Sequence, residues 1–342
     1  MFAKFSSKIS GKSARDKIFV GLDIGTQVVK IVKLRIAQDV VELVDFVLEP
    51  MQADPIEVFK KLKSAHSLEA VNIAFSGPST VIRDINFPKM TAPELKQALK
   101  FEVQKHIPFP LAEVNLDGCI LKDDLPDNKM LVLLAAVKKD FLSQRLKFIE
   151  DAGLKVNIIE IDSLALINAF NFNYGSDDYS GKKAIALLNV GATITNVSII
   201  EDGLPRVSRD IQIGGNNFTQ KISEVMGVDF RSAENLKINP AGDQAARMMT
   251  DLETVFTNLG AEIRTSFDYY ESQSASSVGK IYLSGGGSLF TGFKEKISGL
   301  LGIGVEYWDC LSKIKQPNIA DAEKLKPVLT QLNVAVGLAL RK

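Results

Sequence analysis

Residues Ile18 to Leu34, IFVGLDIGTQVVKIVKL, constrain the fold most: an apolar run enters a tight Asp23-Ile24-Gly25-Thr26 turn, and a second apolar run leaves it. The first run is too short for a helix and β-branched residues dominate the second, so the segment predicts two strands joined by a hairpin loop. Gly25 lets the backbone approach a ligand at a φ that other residues avoid, and Thr26 sets a hydroxyl beside the N–H groups of the turn. Such a turn is a candidate phosphate cradle, although Gly-Thr hairpins also serve purely structural ends. The pattern returns at Ala184 to Ile200, AIALLNVGATITNVSII, around Asn189-Val190-Gly191-Ala192-Thr193. A third glycine turn, in Ile281 to Phe290 (IYLSGGGSLF), follows a short apolar strand and precedes a helical stretch.

A chain of 342 residues, 46% of them hydrophobic, can bury a large core and predicts two or more domains. A net charge of zero gives no global field to attract nucleic acid. The two cysteines, Cys119 and Cys310, and the two histidines, His66 and His106, stand far apart. That spacing argues against a disulfide framework or a zinc site and for a reducing compartment. No apolar run reaches the roughly 18 residues that span a bilayer, and the N-terminus has no signal-peptide core, so a cytoplasmic protein is expected.

In chain order, Met1 to Lys17 is a basic leader whose Phe2, Phe5 and Ile9 have helical spacing; it reads either as a flexible leader or as a short lipid-touching segment. A strand over Val40 to Leu48, a helix over Pro55 to Ser64 and a strand over Val71 to Phe75 complete one α/β subdomain. Thr91-Ala92-Pro93-Glu94 is a capping box, followed by Leu95, Ala98, Leu99 and Val103 on one helix face, and Ile107-Pro108-Phe109-Pro110 stops that helix. Strands at Leu116 to Lys122 and Met130 to Val137 and a helix from an Asp140 cap through Ile149 make an inserted module, helix-strand-strand-helix. Farther on, Gly203-Leu204-Pro205 turns a hairpin and Gly214-Gly215 ends the sheet. Helices are expected over Phe218 to Met226, Ser232 to Lys237 and Asp251 to Gln273.

Two phosphate-type hairpins followed by Gly285-Gly286-Gly287 resemble the actin-like ATPase superfamily, which includes actin, the division protein FtsA, heat-shock chaperones and sugar kinases. Within it, FPKMTAPELKQALKFEVQKHIPFPLAEVNLD, VLLAAVKKDFLSQRLKFIEDAGLKV and IDSLALINAF are similar to the PilM family, the FtsA-related actin-like proteins of type IV pilus assembly. The likeness continues through RVSRDIQIGGNNFTQKI, EIRTSFDYYESQ, LSGGGSLFTGFKEKI and NVAVGLALR, and so covers nearly the whole chain from Val20. It implies an α/β actin-like ATPase fold, two lobes with a central nucleotide cleft and an FtsA-type inserted subdomain. The implied division is a leader, 1–17; a first lobe, 18–83 and 158–180; the insert, 84–157; a second lobe, 181–214 and 275–342; and a helical adenine-side subdomain, 215–274.

The same resemblance implies ATP and Mg²⁺ as cofactors. Asp23, Gly25, Thr26, Gln27 and Lys30 would belong to the first phosphate turn, with Asp23 toward the metal. Asn189, Gly191, Ala192 and Thr193 would form the second turn, flanked by Gly214 and Gly215. Lys221, Glu234 and Lys237 would lie beside the ribose and adenine, or else form a solvated helix face. Ser284, Gly285, Gly286, Gly287 and Ser288 would lie beneath the adenosine. Glu160 and Asp162 fall where the superfamily places water-positioning groups, yet Asp162 reads equally as the N-cap of a helix over Ser163 to Phe170. One departure stands out: the superfamily has Asp where this chain has Asn189, which keeps hydrogen bonding but removes a charge, so ATP binding with at most weak hydrolysis is expected.

The implied partners are the cytoplasmic N-terminal peptide of a PilN-type membrane protein and the pilus motor ATPases, with no nucleic acid, placing the chain at the inner face of the inner membrane through its partners. A division protein of the FtsA type or a type II secretion component is the alternative, though a C-terminal amphipathic helix is expected of the former and the sequence given stops at Arg341-Lys342. A sugar kinase needs a carboxylate base and a sugar domain that no stretch supplies.

Overall fold

The first glycine turn closes a hairpin of β1 (Lys17–Ile24) and β2 (Val28–Ala37), antiparallel over their whole length, and β3 (Val40–Pro50) extends the meander. The computed structural model describes residues 17–38, 40–175, 183–240, 244–316 and 323–342, so all of the expected leader but Lys17 lies outside the described residues. Helix α1 (Pro55–Ala65) starts where the Asp54 carboxylate accepts the Ile56 N–H with proline at the first helical position. It leads to β4 (Ala70–Phe75), parallel to β1.

From there β5 (Thr80–Pro88) leaves the sheet, and α2 (Ala92–Glu102), β6 (Val114–Leu125) and β7 (Lys129–Lys138) build a three-stranded antiparallel sheet in the order β5-β7-β6. The chain returns through α3 (Lys139–Asp151) to β8 (Lys155–Ile161), parallel to β4, and to α4 (Asp162–Asn173). The first sheet thus runs β3-β2-β1-β4-β8.

The second half repeats this plan. A meander of β9 (Ala184–Val190), β10 (Thr195–Glu201) and β11 (Leu204–Ile211) is followed by α5 (Gly215–Met226), α6 (Phe230–Ile238), α7 (Gln244–Asp251) and α8 (Glu253–Gln273). Two parallel strands, β12 (Val278–Ser284) and β13 (Val305–Tyr307), flank α9 (Phe293–Leu301), giving the order β11-β10-β9-β12-β13. Last comes α10 (Asn333–Ala339). In both sheets the innermost strands carry a glycine turn at their ends, which is why two similar sequence patterns recur.

Packing explains the order of the layers. In β7, Met130, Val132, Leu134 and Ala136 face α2 while Leu133 and Ala135 face the body of the molecule, the period of two that a strand buried on both faces requires. The apolar stripe of α8, with Phe256, Leu259, Ile263 and Phe267 all buried, covers the second sheet as its spacing predicts. Val190, Leu188 and Ile281 lie beneath it.

Three expectations are corrected. The insert reads strand-helix-strand-strand rather than helix-strand-strand-helix: β5 pairs with β7 from Thr80↔Val137 to Pro88↔Lys129, whereas Ile149 of α3 packs with Phe59 and Leu62 of α1 on the first sheet. Helix α10, assigned with the second lobe, lies instead against α4 and β1 of the first, where Asn72 of β4 donates its amide to the carbonyls of Leu338 and Arg341. Asp140 is not a cap, since Lys138 holds that position; its carboxylate accepts the Phe141 N–H within the first turn. The helix expected over Asp251 to Gln273 forms as α8, which starts two residues later, at Glu253.

Candidate functional site

The two glycine turns face each other across a cleft of about 540 Å³, within the roughly 300–1,000 Å³ of small-molecule sites. Gln27 of the first turn donates its amide to Asn216 Oδ1, at the start of α5, at 2.6 Å across this cleft. Of the residues singled out from sequence, Asp23, Gly25, Thr26, Gln27, Lys30, Asn189, Gly191, Ala192, Thr193, Gly215, Glu234, Lys237 and Gly285 to Gly287 line it.

Backbone proximity makes glycine necessary here. A Cβ at Gly25 would stand 2.6 Å from the Val28 carbonyl oxygen, and at Gly191 2.9 Å from that of Ile194. Gly287 packs its Cα onto the second turn, where a Cβ would meet the Gly191 carbonyl oxygen at 2.5 Å. Only Gly285 combines such crowding with a positive φ, 89°. The floor of the cleft is therefore made of main chain, with space for a ligand to approach N–H groups closely.

Hairpin register sets the electrostatics. Asp23 and Lys30 are cross-strand partners and form an ion pair of 3.1 Å; Asn189 and Asn196 hold the same positions in the second hairpin as a neutral pair. A carboxylate does stand nearby, one strand over: Asp210 Oδ1 accepts the Asn196 amide at 2.8 Å and Oδ2 accepts the Gly77 N–H at 2.5 Å. Sequence reading missed Asp210, whose only signal was its place near the end of the strand following the second hairpin. Asp162, in the first turn of α4 rather than at its cap, lies at the base of the cleft with the Ser76 hydroxyl on its carboxylate. Burial, reinforced by the charge of Asp23, pushes its pKa up.

At the far end, Lys237 is buried, with its ammonium donating to Glu234 Oε2 at 2.7 Å, Thr219 Oγ1 at 2.8 Å and the Gly215 carbonyl at 3.2 Å. Burial lowers its pKa, with Glu234 opposing. The solvated-face reading of Glu234 and Lys237 is thus corrected.

Four expected residues do not line the cleft. Lys221 comes five residues after the cleft-facing Asn216, which at 100° per residue turns it to another face of α5. Gly214 is buried beneath the second turn, where a Cβ would meet the Ala192 carbonyl at 2.7 Å. The hydroxyls of Ser284 and Ser288 turn inward to the carbonyls of Leu188 and Gly285, at 3.3 and 2.7 Å. Ser76, Asn196, Leu289, Pro327 and Gln331 complete the walls and were not anticipated.

The donor set suits a phosphate chain at the two turns. It suits a hydrated Mg²⁺ beside Asp23, since that ion keeps several waters and takes one or two carboxylates. No cluster of three His, Cys, Asp or Glu that would hold a dehydrated metal occurs among the described residues. A second concavity, a groove of about 180 Å³, runs between β4, β8 and the insert, lined by Phe75, Thr80, Leu116, Ala135, Leu142 and Ile161 among others.

A sequence profile of the family described as type IV pilus assembly protein PilM matches residues 21–342. The structure of a PilM-PilN type IV pilus biogenesis complex is similar over 94% of this chain and 98% of that one, with TM-score 0.82 and 23% identity. The ethanolamine utilization protein EutJ of Carboxydothermus hydrogenoformans matches over 96% of this chain and 91% of its own, with TM-score 0.55 and 16% identity. The fold is actin-like. No helix among the described residues is long and apolar enough to cross a membrane.

Proposed function

The chain belongs to the PilM family of type IV pilus assembly proteins, and from that premise we propose that it is a nucleotide-bound scaffold, holding ATP with Mg²⁺ in the central cleft and a PilN-type N-terminal peptide in the groove beside the insert. The observation that carries the first half is the pairing of two glycine turns across one cleft, with Gly285 to Gly287 beneath and the Lys237–Glu234 pair at one end. N–H groups of such turns hold phosphate oxygens without a preformed cation. Lys30, held at 3.1 Å from Asp23, supplies the positive charge on the first side, and Gln27 with Asn216 ties the two sides together. Bound Mg²⁺ would supply charge neutralisation between the terminal phosphates.

Hydrolysis requires a water held in line by a base, and the neutral Asn189–Asn196 pair leaves the second turn without a carboxylate of its own. Asp210, already accepting two hydrogen bonds, lies behind it. Slow turnover follows, and nucleotide acts chiefly as a ligand that holds the halves together.

The groove carries the second half. It is largely apolar, lies between β4, β8 and the insert, and offers Thr80 and Asn115 at its walls, which suits an extended peptide with apolar side chains. The likeness to a PilM-PilN complex supports this occupant. Through it the chain would sit at the inner face of the membrane, within reach of the motor ATPases. Titration calorimetry with ATP, with and without Mg²⁺, and with a synthetic PilN-type N-terminal peptide tests both halves. Micromolar binding of each, with negligible phosphate release from wild type and at most a modest gain in Asn189→Asp, is expected; rapid wild-type turnover or no ATP binding refutes the scaffold reading.

A further inference from the structure

Helix α2 covers the outer face of the insert and buries only one side of itself. Leu95 and Leu99 are buried with Met130, Val132 and Leu134 of β7, and Val103, one turn on, joins them. Phe101 comes two residues after Leu99, about 200° round the helix, and so points the opposite way. Its side is 80% exposed, more than any other large apolar residue among those described. The packing of the insert gains nothing from a phenyl ring there.

The charges around Phe101 are arranged to suit one kind of neighbour. Lys96 and Lys100, four residues apart, share one flank of the helix, are exposed, and form no ion pair among the described residues. Both acids of α2 are already engaged: Glu94 accepts the Thr91 N–H and hydroxyl, each at 2.7 Å, and Glu102 pairs with Lys105 at 2.8 Å. The acids Asp123, Asp124 and Asp127 belong to the other end of the helix, where the Asn128 carbonyl accepts the Lys89 N–H at 2.9 Å just ahead of α2. At the Phe101 end, Lys138 lies over the Phe109 ring at 4.9 Å and Lys139 donates to the Ala112 carbonyl at 2.7 Å, so that lysines there outnumber the acids Glu102, Glu113 and Asp140.

We propose that the outer face of α2 is a membrane contact, in which Phe101 enters the headgroup layer of an anionic bilayer while Lys96 and Lys100 meet the lipid phosphates. An aromatic ring flanked by lysines is the composition of an interfacial segment, and each lysine brought to an anionic leaflet favours binding about fivefold. A protein partner suits this face less well. A stable protein interface buries about 800 Å² on each side, whereas this is one convex helix with a single apolar apex, and neither the cleft nor the groove includes a residue of it. Lipid headgroups close round whatever enters them and need no matching surface. One ring and two lysines give a weak, reversible contact that orients the molecule on the bilayer. The inference goes beyond the function proposed above and needs neither of its ligands.

The experiment measures sedimentation of the full chain with vesicles of phosphatidylcholine alone and of equal parts phosphatidylcholine and phosphatidylglycerol, at low ionic strength. Wild type should prefer the anionic vesicles at least about fivefold and lose that preference at about 1 M salt, where the Debye length is about 3 Å. Phe101→Ala should weaken binding about tenfold, and Lys96→Gln combined with Lys100→Gln about 25-fold. Both variants alter exposed side chains, so melting temperatures near wild type confirm that they fold. Phe101→Trp reads the contact directly: Trp308, the one tryptophan of the sequence, is 2% exposed, so a blue shift and quenching by lipids spin-labelled on the acyl chain report on the new indole. Both signals are expected with anionic vesicles and neither with neutral ones. Failure to bind vesicles, or equal binding to the two kinds, overturns the proposal. Wild-type affinity in Phe101→Ala, or an indole that stays unquenched while the protein sediments, also overturns it and moves the lipid contact elsewhere on the chain.

Discussion

Substituting alanine at Gly337 should destabilise the protein, although alanine is the better helix former. In α10 a Cβ at this position would fall within bonding range of the Ala165 carbonyl oxygen and 2.5 Å from its carbon, main-chain atoms of α4 that no rotamer change can move aside. The helices must separate, and overpacking of this kind costs about 1–3 kcal/mol. With every residue of α10 buried, the upper end applies. Replacing a mid-helix glycine returns about 0.5–1 kcal/mol, which leaves a net loss of about 2 kcal/mol. An unfolding entropy of about 2.1 cal/mol/K per residue over 342 residues gives about 0.7 kcal/mol per degree, so the melting temperature should fall by about 3 °C. Gly299→Ala, in α9, is the matched control: nothing lies within 4 Å of its Cβ, and its melting temperature should rise by about 1 °C. Scanning calorimetry of the two variants beside wild type decides the matter. A Gly337→Ala protein that melts at or above wild type refutes the close packing of α10 on α4.

Burial lifts Glu160 from 4.5 to about 7 against the pull of Arg341, so between those values the folded chain keeps a proton that the unfolded chain releases. Stability should therefore fall by up to about 3 kcal/mol as pH rises through that window. Glu160→Gln should remove this part of the slope in a series of thermal melts, and an unchanged slope would locate the titrating group elsewhere. Lys237→Met removes three donated hydrogen bonds and strands Glu234 at the cleft wall, so ATP affinity measured by calorimetry should fall at least about tenfold; unaltered affinity would detach that end of the cleft from nucleotide binding. Leu116→Glu sets a charge against the apolar groove and should lower PilN-type peptide affinity about tenfold or more while ATP binding to the peptide-free protein stays as it was. Equal loss of both ligands would point instead to general unfolding.

Much of this was legible in the residues. The strand-turn-strand pattern at Ile18 to Leu34 and its copy at Ala184 to Ile200 depend on local alternation and glycine, so both hairpins form where expected. The capping box at Thr91 is local too, with Glu94 accepting the Thr91 N–H at 2.7 Å. What escaped depends on distant partners. The strand Thr80–Pro88 carries Arg83, Asp84 and Asn86 between its apolar residues and becomes a strand because β7 lies alongside. Lys237 looks like a surface lysine until Thr219, from the preceding helix, and Glu234 satisfy its ammonium. Nothing in NVAVGLALR says that it will cross back to the first sheet; the close approaches at Gly21 and Gly337 that permit this are fixed only once both sides are in place.

That crossing sets a schedule for the newborn protein. Strand β1 leaves the ribosome well ahead of the helix that covers it, α10, which begins about 300 residues later; at roughly 5–20 residues per second that is about 15–60 s of synthesis. Throughout that interval the apolar surface around Gly21, against which α10 packs its Ala335 carbonyl, has no cover from its own chain. A chain cut short before Asn333 keeps that surface bare for good, so chaperones and proteases would meet such truncated products as unfinished clients, whatever the state of the cleft.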